Sequence, residues 1–169
     1  PIKKEKISFL VGGRSSYAHL FLPLFNNDNK AYFYDLNTKL NYRVNDRNSV
    51  FFSGYFGKDL FGISDNFVNT YGNKVANLRW NHLFSDQLFS NLSLIYSDYF
   101  YGLTLDFVGF EWDSGITNYN LKYDFKHYLS NKIKLSYGIN NIYSKFNPGE
   151  IKPNREDSGI VAEKLIDKY

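Results

Sequence analysis

YDLNTKLNYRVNDRNSVFFSGYFG, residues 34–57, spells out two strands around a turn. On the way in, Tyr34, Leu36, Thr38, Leu40, Tyr42 and Val44 take every second position, and Asp35, Asn37, Lys39, Asn41 and Arg43 fall between them. A strand sends successive side chains to opposite faces, so this segment has one apolar and one polar face. An apolar face turned inward predicts a soluble β-sandwich or ligand-binding barrel. Turned outward into lipid, it predicts a piece of a membrane barrel. NDRN (45–48) supplies the turn, and beyond it Phe51 and Phe52 compete for the apolar side. A one-residue slip would exchange them, so the register of the return strand stays open.

The pattern recurs. Strand-like segments lie at 5–15, 30–44, 48–58, 73–84, 88–101, 114–128 and 131–144. Ala76, Leu78 and Trp80 oppose Asn77, Arg79 and Asn81; Leu92, Leu94 and Tyr96 share one side. Tyr119, Leu121, Tyr123 and Phe125 oppose Asn118, Asn120, Lys122, Asp124 and Lys126; Ile133, Leu135, Tyr137 and Ile139 follow suit. Several segments exceed the roughly 5–6 residues usual in soluble proteins and suit the about 9–11 residues of a tilted membrane strand. The turns NDRN, SDQ (85–87) and SN (130–131) are short, and they alternate with longer stretches at 16–29, 59–72, 102–113 and from 145 onward. Short turns at one rim and long loops at the other are the mark of outer-membrane barrels. The fold class expected is therefore all-β: antiparallel, up-and-down transmembrane barrel strands over residues 1–149. Residues 150–169 form an extracellular loop segment with a short helix capped by Ser158.

Composition agrees. Aromatics make up 20% of the 169 residues, and 15 tyrosines nearly match the 17 acids. Tyrosine joins an apolar body to a polar tip, which suits a membrane interface. Clusters at Tyr32–Tyr34, Tyr55–Phe56 and Tyr99–Tyr101 resemble an aromatic girdle. No run reaches the about 18 apolar residues of a membrane helix, and a mean hydropathy of −0.42 is what alternation produces. The net charge of +3 is spread out, so no nucleic-acid partner is expected. Seven strands do not close a bacterial barrel, so the chain reads as a fragment needing further strands.

Enzyme chemistry finds no foothold. His19, His82 and His127 lack metal-ligand spacing, and cysteine is absent. GRSSY (13–17) is no nucleophile elbow, and FGKDLFG (56–62) is no phosphate loop. Asp59, Asp65, Asp106, Glu111 and Asp113 fall in the long loops, where they read as solvated charges ahead of the alternative of binding calcium or a cationic substrate, and KKEK (3–6) reads as a solvated strand end. No catalytic residue, metal or cofactor is expected. The candidates for contact with substrate or an internal plug are the lumen-facing set Asn37, Lys39, Asn41, Asn77, Arg79, Asn81, Asn118, Asn120 and Lys122. Amides and cations together supply donors and acceptors for a polar surface.

PIKKEKISFLVGGRSSYAHLF (1–21), YFYDLNTKLNYRVNDRNSVFFSGYFGKDLFG (32–62), NLRWNHLFSDQLFSNLSLIYSDYFYG (77–102) and NYNLKYDFKHYLSNKIKLSYGINNIYSKFNPG (118–149) together resemble the barrel strands of TonB-dependent outer-membrane receptors of the Bacteroidota type. That resemblance implies a 22-stranded barrel in the bacterial outer membrane importing a bulky nutrient such as a siderophore, glycan or peptide. Its implied partners are outer-membrane lipid, the rest of its own barrel and plug, the TonB complex through the plug, and a surface substrate-binding lipoprotein. A structural or adhesive barrel and a soluble ligand-binding barrel are the alternatives.

Overall fold

The computed structural model describes residues 6–17, 20, 21, 24, 29–64 and 66–165. They form one antiparallel up-and-down sheet: β1 (Ile7–Ser15), β2 (Lys30–Asn45), β3 (Asn48–Ile63), β4 (Phe67–Ser85), β5 (Leu88–Leu105), β6 (Phe110–Tyr128), β7 (Lys134–Pro153) and β8 (Glu163–Lys164). Each strand pairs with its neighbour in sequence, so β1 and β8 stand at opposite ends of the sheet.

The short turns share one local device. Asn45 Oδ1 accepts the Arg47 N–H at 3.0 Å, Ser85 Oγ that of Gln87 at 3.3 Å, and Ser130 Oγ that of Lys132 at 3.3 Å. A polar side chain closing on the N–H two residues ahead is how Asn and Ser initiate tight turns. These turns fix the register. Phe52 pairs with Leu40 and Leu78, whereas Phe51 lies on the opposite face, its ring centroid 4.5 Å from the Arg79 guanidinium carbon. The competition left open in the sequence is settled for Phe52.

At the other rim the sequence expectation needs correction. Stretches 59–72 and 102–113 are strand for most of their length: β3 runs to Ile63, β4 begins at Phe67, and a 3-10 turn at Asp106–Val108 separates β5 from β6. Asp59, Glu111 and Asp113 therefore sit in strands, while Asp65 and His19 lie outside the described residues. β7 does not stop at 144 but continues through Pro148 and Gly149 by way of a register shift opposite Asp113 and Gly115. A bulge bends a strand without ending it. The helix expected from Ser158 is absent from 158–165. There Glu163 and Lys164 pair with Ile151 and Glu150, and 166–169 lie outside the described residues. Ser158 caps nothing helical; its hydroxyl donates to the Gly109 carbonyl at 2.9 Å.

No hydrophobic residue among those described is buried. A single sheet has nothing stacked on either face, so its energetics depend on what covers those faces.

Candidate functional site

The functional surface is the pair of faces, and the register defines both. On one, the leucine face, cross-strand pairing lines up Phe9, Leu40, Phe52, Leu78, Leu94 and Leu121 in a single row across six strands. The next row toward the short turns holds Ile7, Tyr42, Val50, Trp80, Leu92, Tyr123 and Ile139. Aromatic rings flank these rows. Toward the short turns, Phe125 stacks on Tyr137 with ring centroids 5.3 Å apart, and His82 meets Phe84 at 4.4 Å. Toward the other rim, Tyr119 stands between Tyr96 at 5.4 Å and Tyr143 at 6.4 Å.

The nine polar residues grouped by alternation fall together on the opposite, asparagine face. Asn37 and Asn118 fall in one row with Tyr55, Val75 and Ser97. Lys39, Asn77 and Asn120 fall in the next, with Ser53 and Ile95 between them, and Asn41, Arg79 and Lys122 in the third, with Phe51 and Ser93. Asn81 opens a fourth, opposite Asn91. Asn77 Oδ1, Arg79 Nε, Asn81 Oδ1 and Asn120 Oδ1 are shielded yet make no hydrogen bond with the protein. A shielded polar atom left unpaired costs about 1–3 kcal/mol.

The exposures run against the logic of a water-soluble sheet. Along β4, Leu78 and Trp80 are 45% and 37% exposed, while Asn77, Arg79 and Asn81 on the other face are half-buried. At mid-height of β4 the apolar side is the barer one, whereas in β2 and the lower part of β7 both faces are exposed.

Sequence reasoning missed what happens above the tyrosine row. There the two faces exchange character with no bulge at that height in β4 or β5. On β5 the apolar residues move from Leu92, Leu94 and Tyr96 to Tyr99, Tyr101 and Leu103; on β6 they move from Leu121 and Tyr119 to Ile116 and Trp112. Beyond the switch the asparagine face becomes an aromatic platform. Tyr101 packs edge-on to Trp112 at 5.6 Å, and its hydroxyl accepts a 2.7 Å hydrogen bond from Asn69 Nδ2; Tyr71 and Tyr99 stay exposed. The leucine face becomes charged, with Lys74, Asp98, Thr117 and Lys145 in one row. Higher up, Lys152 lies 3.3 Å from Glu150, and that partner, with Asp113 behind it, raises the Lys152 pKa above its ordinary value. The signal that could have revealed the switch is a change of phase in the alternation at 96–99 and 116–119, which imitates the end of a strand.

His82 lies on the leucine face among aromatic rings, with Nδ1 2.8 Å from Asn48 Oδ1. No group of three or more His, Cys, Asp or Glu able to hold a metal occurs among the described residues. Comparison with protein families, curated proteins and solved structures returns no match to this chain.

Proposed function

We propose that this chain is part of the barrel wall of a TonB-dependent outer-membrane receptor that imports a bulky nutrient. The observation that carries the reading is the bare leucine face: continuous apolar rows with aromatic rings along both margins. Lipid is the solvent such a face requires, and from Tyr119 to His127 it offers close to the about 9–11 residues a tilted strand needs to cross. Among the described residues, the outer edge of β1 and the outer edge of the lower part of β7 have no strand paired to them. Such edges suit completion by further strands, since a membrane cannot satisfy them.

A structural or adhesive barrel would share that outer face. Import is favoured by the inner one. The unpaired amides and Arg79 suit a polar plug packed against them, and the aromatic platform above suits a ligand held at the entrance. On this reading the partners are membrane lipid, the remaining strands, a plug, the TonB complex and a surface lipoprotein. A soluble ligand-binding barrel would need the leucines turned inward.

The chain contributes no cysteine of its own, so each substitution adds one identifiable thiol once any cysteine elsewhere in the protein has been replaced. In the full-length protein in sealed vesicles, Leu78→Cys, Leu94→Cys and Leu121→Cys are expected to resist a membrane-impermeant maleimide. Asn77→Cys and Asn120→Cys are expected to react once any plug is removed. Equal labelling of both sets would dismiss the membrane reading. A growth phenotype of the deletion that persists without energy coupling at the inner membrane would favour the non-transport barrel instead.

A further inference from the structure

Charge that is scattered along the sequence is gathered by the pairing of the strands. From the row of Asn77 down to the short turns, the asparagine face carries Lys39, Arg79, Lys122, Arg43 and Lys126, and Asp124 is the one carboxylate in these strands among the described residues. The leucine face holds no lysine, arginine or carboxylate between the tyrosine row and the short turns. Higher up, the sign on the asparagine face reverses: Asp35 is bound to Arg14, and Asp59 and Glu163 follow without a further cation. The basic stretch is poorly neutralised. Lys122 Nζ lies 3.3 Å from Asp124 Oδ2, and Arg43 Nη2 lies 2.7 Å from Asp46 Oδ1 in the turn, whereas Lys39, Arg79 and Lys126 pair with no carboxylate among the described residues. The Arg79 guanidinium lies over the Phe51 ring instead, with Nε shielded.

We propose that this basic wall receives an acidic protein surface, presented by the plug. The inference rests on the barrel reading and adds to it the charge of the partner. Three observations carry it. The first is the sign: cations left without carboxylates on one face call for carboxylates from outside the sheet. The second is the span. Lys39 on β2 and Lys126 on β6 stand four strands apart, roughly 19 Å along the sheet, too far for one small anion to neutralise both. A protein surface carries several carboxylates at such spacings. The third is the set of amides between the cations. Asn77, Asn81 and Asn120 ask for donors as well as acceptors. A protein segment brings backbone N–H groups together with its carboxylates, whereas an inorganic polyanion brings acceptors alone. Lysines also snorkel toward a membrane margin, but these lie on the face opposite the leucine rows.

The test uses the full-length protein in non-ionic micelles with Asn120→Cys as its one cysteine. Maleimide labelling at low ionic strength is expected to be slow. It should quicken about tenfold in the variant K39E/K122E/K126E, and likewise in about 1 M NaCl, which screens charges beyond about 3 Å. The variant K39R/K122R/K126R keeps the charge and should label as slowly as the parent. In the parent, a carbodiimide that joins amines to carboxylates should link Lys39 or Lys126 to an aspartate or glutamate outside this sheet, mapped by mass spectrometry. Heat-modifiable gel mobility confirms that each variant keeps its barrel. Slow labelling indifferent to both charge reversal and salt overturns the acidic partner while leaving the plug in place. Fast labelling from the outset overturns the plug reading as well, and protection restored by inositol hexakisphosphate would then assign the wall to an anionic cargo.

Discussion

Leu94→Arg is expected to cripple assembly of this protein in lipid, while Asn41→Arg leaves it nearly unchanged. Leu94 stands near the centre of the leucine row, paired with Leu78 on one side and Leu121 on the other, and it is 47% exposed. If hydrocarbon covers it, a guanidinium there costs about 2–4 kcal/mol near the midplane. Asn41 lies on the other face beside Ser8, whose hydroxyl accepts its amide at 3.2 Å. A longer cation there reaches a hydrated space and loses one exposed hydrogen bond, within about 1 kcal/mol. Urea titration of the refolded protein in lipid vesicles, with assembly followed by gel mobility, measures both. Were the leucine face bathed in water instead, arginine in place of an exposed leucine would be harmless. Similar losses for both would mean that the faces have been assigned to the wrong solvents.

The second large effect is expected at Gly149. Its φ of 127° lies where side chains are strained, and the Trp112 indole occupies the space that a Cβ would enter. Asn147 Oδ1 accepts the Gly149 N–H at 3.1 Å, and the Gly149 carbonyl accepts from Leu165 at 3.0 Å, so this residue fixes both the bulge and the attachment of β8. Gly149→Val should cost at least about 1–3 kcal/mol from backbone strain, and it should displace Trp112. This chain has two tryptophans, so a Trp80→Phe background, with any tryptophan elsewhere in the protein likewise replaced, lets the emission of Trp112 report that displacement. Gly12→Ala is the control. A Cβ at Gly12 would meet nothing within 4 Å and its φ is ordinary, so the change should be neutral or slightly stabilising. A Gly149→Val protein with unaltered emission and urea midpoint would show that the bulge can relax around a side chain.

The strands near the short turns were legible because two local rules act together there. Strict alternation names the faces from Leu36 to Val44, and Asn45, Ser85 and Ser130 name the turns that lock them. The common face of the nine polar candidates followed from that alternation, since a period of two survives as long as neighbouring strands stay in register. The upper halves of the strands were illegible for the same reason. At 96–99 and 116–119 the apolar residues change sides while the backbone runs on, and a change of phase in a one-dimensional pattern looks like a loop. Only pairing across strands, 67–85 against 88–105 and 88–105 against 110–128, distinguishes a strand whose surroundings change from a strand that ends.

Alternation by itself thus determined that the chain is a β-sheet with one apolar and one polar face. Tertiary pairing decided how high each face keeps its character, that Phe52 rather than Phe51 joins the leucines, and that Gly149 bends β7 instead of stopping it. The division has a physical basis. Side-chain direction in a strand is a property of adjacent peptide units, whereas register, bulges and the meeting of distant rows depend on hydrogen bonds between residues far apart in the chain.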